Sequence, residues 1–193
     1  MPGIDDSRQF IPLKIAVLTI SDTRALADDR SGATLVEHAE KAGHTIAGRA
    51  IVTDDVEKIR ARVKAWIADP AIDVIITTGG TGFTGRDVTP EAVEPLFEKR
   101  MEGFATMFLL VSQAKIGTSA IQTRATAGVA GGTYIFCLPG SPGACRDAWD
   151  EILRTSSTIA TVRATSSRSC RASRSICAAP KPRARRCRLR HYC

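Results

Sequence analysis

Residues 13–20 read LKIAVLTI, a nearly continuous apolar and β-branched run. A run without polar alternation suits a strand covered on both faces, as in a parallel sheet with helices on either side. Residues 44–52 read as a second strand, and residues 73–78 (DVIITT) as a third, which runs straight into glycines. Between them the period changes. A helix is expected to open at Ser31-Gly32, with Ser31 as its capping residue, and to stop at Gly43. Val56, Ile59, Val63, Trp66 and Ile67 repeat at helical spacing, so a second helix follows Asp54. Thr89-Pro90-Glu91 predicts a third helix over residues 90–99, with Thr89 as cap and Pro90 at the first helical position. A fourth is expected over 103–113, a hairpin or strand pair around Gly131-Gly132, and a last helix from Pro142 toward Leu153. Strands alternating with helices give an α/β fold: a three-layer αβα sandwich around a mostly parallel sheet.

In such folds ligands sit beyond the carboxyl ends of the strands. Three polar or glycine-rich segments fall at those ends: residues 21–24, 77–87 and 139–142. Gly79-Gly80-Thr81-Gly82 follows a strand directly, and glycines let the backbone approach a ligand while successive N–H groups cradle an anion. No Gly-Lys-Ser/Thr follows, so this is not a Walker loop, nor is it the dinucleotide fingerprint. By themselves these glycines fit either a phosphate cradle or a tight turn. Asp87, next to Arg86, suits either a Mg²⁺ ligand or a residue favouring the helix start. Asp54 and Asp55 suit either a shared metal site or helix capping before Val56. Gly140 and Ser141, after the last strand, suit an anion contact or a plain connection, and Ser21-Asp22 is a similar polar patch. His38 and His44 stand apart and receive no role.

Taken together, Ser21-Asp22, Thr77-Thr78-Gly79-Gly80-Thr81-Gly82, Arg86-Asp87-Val88-Thr89-Pro90-Glu91-Ala92 and Leu138-Pro139-Gly140-Ser141 resemble the MoaB/MogA family of molybdopterin-binding proteins. The resemblance spans about residues 9–153. Residues 116–119, 124–130 and 144–146 resemble the MoaB branch more than the MogA branch. The resemblance implies adenylyl transfer in molybdenum cofactor biosynthesis: the phosphate of molybdopterin attacks the α-phosphorus of ATP, with Mg²⁺, and pyrophosphate leaves. It implies that Asp54 and Asp87 are catalytic and hold the metal. It implies that Ser21, Asp22, Thr78, Gly79, Gly80, Thr81, Gly82, Arg86, Gly140 and Ser141 bind substrate or nucleotide. It also implies a homotrimer or homohexamer. The alternative is a non-catalytic molybdopterin- or nucleotide-binding protein of the same pathway.

The chain divides by charge. Residues 1–153 hold 16 Lys/Arg and 20 Asp/Glu, whereas residues 154–193 hold 11 Lys/Arg and no acid. The first part is therefore expected to be the molybdopterin-binding α/β domain, and the rest an atypical, poorly ordered Arg/Ser/Cys tail. Four of the six cysteines, Cys170, Cys177, Cys187 and Cys193, lie in that tail. A basic tail suits nucleic acid, but the acidic body offers no basic groove, so no nucleic-acid partner is expected. Residues 157–167, back-translated with suitable codons and read one nucleotide earlier, give Leu-Asp-Tyr-Arg-His-Arg-Pro-Cys-Asn-Phe-Val, a pattern that resembles the family's C-terminus. The tail is accordingly read as a frameshift product arising near residues 155–157, and the coding DNA decides this. Cys137, in an apolar run, reads as a small buried hydrophobe. No apolar run approaches the ~20 residues of a membrane span, and residues 1–10 lack a signal-peptide core, so a cytoplasmic, membrane-free protein is expected.

Overall fold

A computed structural model describes residues 10–154. Residues 1–9 and, Arg154 apart, the basic tail lie outside the described residues. The elements are β1 (Lys14–Ile20), α1 (Arg30–Lys41), β2 (Thr45–Val52), α2 (Val56–Ala68), β3 (Val74–Thr78), α3 (Thr89–Val93), β4 (Lys99–Arg100), α4 (Glu102–Ile116), β5 (Thr126–Ala130), β6 (Thr133–Leu138) and α5 (Pro142–Ala148). The sheet order is β2-β1-β3-β6-β5-β4. β2, β1, β3 and β6 run parallel, and β5 is antiparallel to β6 and β4. Gly131 and Gly132, with φ of 60° and 80°, make the two-residue turn between β5 and β6, where both positions need the left-handed region.

The pleat of β1 sorts its side chains between two cores. Ile15 and Val17 pack with Leu35, Ala39, Phe104, Phe108 and Trp149, under α1, α4 and α5. Ala16, Leu18 and Ile20 pack with Ile59, Val63, Ala92 and Val93, under α2 and α3. A strand apolar at all positions but Lys14 and Thr19 is thus covered on both sides, and the three-layer αβα sandwich expected from the sequence is the observed one. Cys137 is fully buried, and burial pushes its thiol up to about 12.

Four local expectations are corrected. Asp29, not Ser31, caps α1: its Oδ1 accepts from Gly32 N at 2.8 Å, while Ser31 is the second residue of the helix. Thr89 does not cap α3 either. Val88 holds the cap position without a side-chain bond, and the Thr89 hydroxyl donates to Gly79 O at 2.8 Å. The helix expected over 90–99 stops at Val93, passes through a 3-10 turn, Glu94–Leu96, and gives way to β4. Pro95 has no N–H to return to the Glu91 carbonyl. Arg60 takes over there, donating from Nη2 to Glu91 O at 3.2 Å and from Nε to Ala92 O at 3.3 Å.

The fourth correction concerns the helix expected over 103–113. It is longer, and with the 3-10 turn Gly117–Gln122 it forms a helical stretch, Glu102–Gln122, of 21 residues, within which an 18-residue window has mean hydropathy 1.3. By length and composition alone this stretch is apolar enough to cross a membrane. Polar residues within it, Glu102, Gln113 and Lys115 among them, break the apolar run in the sequence and hide that total. Phe104 and Phe108 face the core, whereas Met107, Leu110, Ile116 and Ile121 are exposed.

Candidate functional site

Four parallel strands end on one edge of the sheet, and their following loops meet around a cavity of about 560 Å³. Ligand pockets commonly fall in this size range. β1 brings Ser21, Thr23 and Arg24, β2 brings Asp54, β3 brings Gly79–Gly82 with Arg86 and Asp87, and β6 brings Gly140 and Ser141. The convergence inferred from the strand–helix alternation is therefore present. Phe108, Ser112 and the turn around Ser119–Thr123 close the cavity on the α4 side, a wall that the resemblance at residues 116–119 touched without assigning it to the site.

The glycines are required by close packing. Gly79 has φ of 108°, and a Cβ there would lie 2.3 Å from the Ile20 carbonyl oxygen. A Cβ on Gly140 would lie 3.2 Å from the Gly79 Cα. The ends of β1, β3 and β6 are thus pressed together with no room for side chains, and the tight-turn reading of the glycines is satisfied whether or not they also cradle an anion. Gly79→Ala is expected to lower stability by about 1–3 kcal/mol, from the strained φ and the backbone clash. Chemical denaturation checks this, and an unchanged midpoint would mean that the loop relaxes freely.

The adjacent aspartates separate cleanly. Asp55 caps α2, its Oδ1 accepting from Lys58 N at 2.8 Å, and so Asp54 is free to face the cavity. A Cβ on Gly80 would lie 3.1 Å from Asp54 Oδ1, and a Cβ on Gly82 would lie 2.8 Å from Asp87 Oδ2. The two carboxylates therefore stand against the glycine loop from opposite neighbours. Asp87 does not cap α3. Its Oδ2 accepts from Thr84 N at 2.9 Å and from Thr84 Oγ1 at 2.5 Å.

The environments push the two carboxyls in opposite directions. Burial and then the like charge of Asp22 raise Asp54, and the carboxylate of Asp87 adds to this. Burial also acts to raise Asp87, but hydrogen bonds from Thr84 and Gly82 and the charge of Arg124 outweigh it and hold this carboxyl below its usual range. Asp22 braces the cluster without lining the cavity: its Oδ1 accepts from Asp54 N at 3.0 Å, and its Oδ2 lies 3.4 Å from Arg86 Nη1. Thr78 also lies outside the cavity wall. Its hydroxyl donates to Pro139 O at 2.9 Å, tying the ends of β3 and β6. Ser141 caps α5, accepting from Ala144 N at 3.2 Å, while still lining the cavity. Neither His38 nor His44 lines it. His44 Nδ1 accepts from Leu13 N, and His38 Nδ1 lies 2.8 Å from Thr34 O.

Among the described residues no three His, Cys, Asp or Glu side chains converge to cage a metal. Asp54 and Asp87 offer hard oxygen donors beside backbone N–H groups. That donor set fits Mg²⁺, which keeps most of its shell as water and substrate phosphate and takes one or two carboxylates from the protein.

Three contributors fall in segments that the sequence singled out, but the sequence assigned them no role. Arg24 donates from Nη1 to Gly140 O and to Ser31 Oγ, both at 3.2 Å, bridging the loops after β1 and β6. Thr84 holds the Asp87 carboxylate. Arg124, immediately before β5, donates from Nε to Gly82 O at 2.8 Å and from Nη2 to Asp87 O at 2.6 Å. The partners of Arg24 and Arg124 lie up to 116 residues away in sequence, beyond the reach of spacing arguments, whereas Thr84 stands three residues before Asp87.

Known proteins resemble the chain over most of its described length. Residues 16–158 match the family described as probable molybdopterin binding domain. Molybdenum cofactor biosynthesis protein B of Escherichia coli (strain K12) is 49% identical over 147 residues, which cover 76% of this chain and 86% of that protein. The Bacillus subtilis (strain 168) protein of the same name is 39% identical over 154 residues, covering 78% of this chain and 91% of that one. A crystal structure of a molybdenum cofactor biosynthesis protein B superposes with a TM-score of 0.73 at 40% identity, covering 76% of this chain and 91% of the other.

Proposed function

Because the chain belongs to the molybdopterin-binding family of molybdenum cofactor biosynthesis, we propose that within this pathway it adenylylates molybdopterin with Mg-ATP. A phosphate oxygen of molybdopterin attacks the α-phosphorus of ATP. The bond from that phosphorus to the bridging oxygen breaks, and pyrophosphate leaves with the electron pair. The observation that carries the reading is the pair Asp54 and Asp87 standing against the glycine loop, in a cavity where four strand ends meet.

The attacking phosphate is already ionised, so no strong general base is needed, and the lack of a catalytic histidine in the cavity is no obstacle. What the reaction needs is alignment and neutralisation of charge. In the Gly79–Gly82 loop the N–H groups of Gly80 and Thr81 would donate to phosphate oxygens, since Gly79 N donates to Leu138 O at 3.0 Å and Gly82 N to the Asp87 carboxylate, with Ser21, Arg86, Gly140 and Ser141 as further contacts. Asp22 and Thr78 would serve by holding the loops rather than by touching ligand. Asp54 and Asp87 would hold Mg²⁺, which when bound offsets the negative charge of the phosphates. The tip of the loop keeps Asp87 ionised through Thr84, so this carboxylate is ready to take a cation at neutral pH.

Incubating the protein with molybdopterin and Mg-ATP is expected to release pyrophosphate in proportion to protein and to molybdopterin. Release at background level from folded protein removes the enzyme reading and leaves a binding protein of the same pathway. The exposed apolar side of α4, with Met107, Leu110 and Ile116, supports the expected homotrimer or homohexamer, since a soluble surface seldom leaves such a patch uncovered. Sedimentation equilibrium is expected to give a multiple of three copies; a monomer at micromolar concentration excludes it. A cytoplasmic location is part of the same proposal.

A further inference from the structure

The loop that carries Asp87 makes a four-residue excursion, 83–86, between Gly82 and Asp87. The bonds to the Asp87 carboxylate come from Gly82 and Thr84, and its N–H donates to Thr84 O at 3.0 Å. These are internal to the loop. They shape it but do not say where it stands relative to Asp54.

Asp22, which accepts from Asp54 N and faces Arg86, gives one link to Asp54, and Arg124, two residues before β5, ties the loop to the sheet. Its Nε donates to Gly82 O at 2.8 Å and its Nη2 to Asp87 O at 2.6 Å, so one planar guanidinium holds both feet of the excursion. Its own N–H donates to Thr81 O at 3.1 Å, which joins the backbones as well. The remaining Nη1 pairs with the Glu91 carboxylate in the first turn of α3. The Phe83 ring lies against the guanidinium, 5.4 Å from carbon to ring centroid. Only about a quarter of the Arg124 side chain is exposed. A rigid fork with several donors can make these bonds at once, whereas a lysine ammonium is a point on a flexible stem. Arg124 also follows directly on the Ser119–Thr123 wall of the cavity, so one segment both lines the cavity and clamps the glycine loop.

We propose that Arg124 is a positioning residue of the site: by clamping Gly82 and Asp87 it holds the Asp87 carboxylate in register with Asp54 for a shared divalent cation. The proposal rests on the reading of Asp54 and Asp87 as the metal-holding pair. Its action is through the backbone, and it touches neither substrate nor metal.

The test uses the full chain and the variants Arg124→Ala, Arg124→Lys and Glu91→Ala. Mn²⁺ binding in the presence of ATP is read by electron paramagnetic resonance, kcat and KM by pyrophosphate release, and folding by melting. In both Arg124 variants the Mn²⁺ half-saturation concentration is expected to rise about 10–100-fold, the usual cost of losing a group that orients a metal ligand. kcat is expected to fall about 100-fold with KM for molybdopterin nearly unchanged. Arg124→Lys is expected to recover little despite its charge, and methylguanidinium is expected to restore part of the Mn²⁺ binding of Arg124→Ala. Glu91→Ala keeps both carbonyl bonds and is expected to shift Mn²⁺ binding less, in the same direction.

Wild-type Mn²⁺ affinity in folded Arg124 variants, even with a lowered melting temperature, overturns the proposal. If neither Arg124 variant folds, wild-type affinity in Glu91→Ala overturns it. A wild-type protein that binds Mn²⁺ with ATP but releases no pyrophosphate sinks the reaction and leaves the clamp to be decided by the Mn²⁺ measurement. A wild-type protein that binds no Mn²⁺ with ATP sinks the metal-pair reading and the clamp with it.

Discussion

Asp87→Ala and Asp54→Ala are each expected to retain less than about one hundredth of the wild-type rate of pyrophosphate release, and the double variant little less than the worse single one. Removing one charge-stabilising group from an aligned phosphoryl site commonly costs about 10²–10³ in rate, and groups that act as a unit are not additive. The two positions should nevertheless differ in stability. Asp54 has its pKa raised, first by burial and then by Asp22, so its ionised form works against the fold. A raised carboxyl gives stability back as pH falls through its folded pKa, and at neutral pH Asp54→Asn is expected to raise the melting temperature. Asp87 is lowered, because the bonds from Thr84 and Gly82 overcome burial. A lowered carboxyl contributes stability above its unfolded pKa, so at neutral pH Asp87→Asn is expected to lower the melting temperature. Equal loss of activity with opposite shifts in melting would mark the two as one functional pair in two environments. Retained turnover in either alanine variant would remove that residue from the reaction.

Asp29→Ala is expected to cost about 3–5 kcal/mol, the largest stability effect of any single substitution considered for this chain. The Asp29 side chain is fully buried. Oδ2 accepts from Thr19 Oγ1 at 2.8 Å and from Arg49 Nη2 at 3.0 Å, while Oδ1 accepts from Gly32 N at 2.8 Å and from Ser31 Oγ at 3.3 Å. One carboxylate thus caps α1, joins it to β1 and neutralises an arginine of β2. Its loss strands the Arg49 guanidinium, which is only 29% exposed, and leaves the α1 N-terminus uncapped. Burial alone would raise this carboxyl, but the bonds from Gly32, Arg49 and Thr19 and the charge of Arg49 bring it below its ordinary value of 3.8. The stability it contributes is present above that pH and drains away as pH falls through the lower, folded value. Urea midpoints measured from neutral pH down into this acid range should fall more steeply for the wild type than for Asp29→Asn. Parallel curves would show that Asp29 is not the group responsible.

Asp29 also illustrates the limit of reading the chain linearly. Ser31-Gly32 has the local chemistry of a helix start, and propensity favours Ser31 as the cap. The choice fell to Asp29 because Arg49 and Thr19, brought in by neighbouring strands, complete its hydrogen bonds inside the sandwich. The same competition moved Thr89. Its hydroxyl is a good cap in isolation, yet Gly79 O lies within reach once β3 and α3 are packed, and it donates there instead. Asp54 and Asp55 show the reverse case. Two adjacent carboxylates are indistinguishable in sequence, but a helix admits one N-cap, and when Asp55 took it Asp54 was left to face the cavity.

The sequence by itself determined the layers and the edge on which a site would form. A nearly continuous apolar strand such as 13–20 is stable only when covered on both faces, and a parallel arrangement then puts every following loop at one edge of the sheet. The family was equally legible, because residues 78–92 are contiguous and depend on no contact to be recognised. Only the tertiary structure decided which of the motif residues line the cavity and which brace it, as Thr78 and Asp22 do. It alone gave Arg24, Thr84 and Arg124 their roles. A guanidinium recognises backbone carbonyls, which every residue possesses, so nothing in the sequence marks its partners. They become partners only when the packing of strands and helices carries them within about 3 Å of each other.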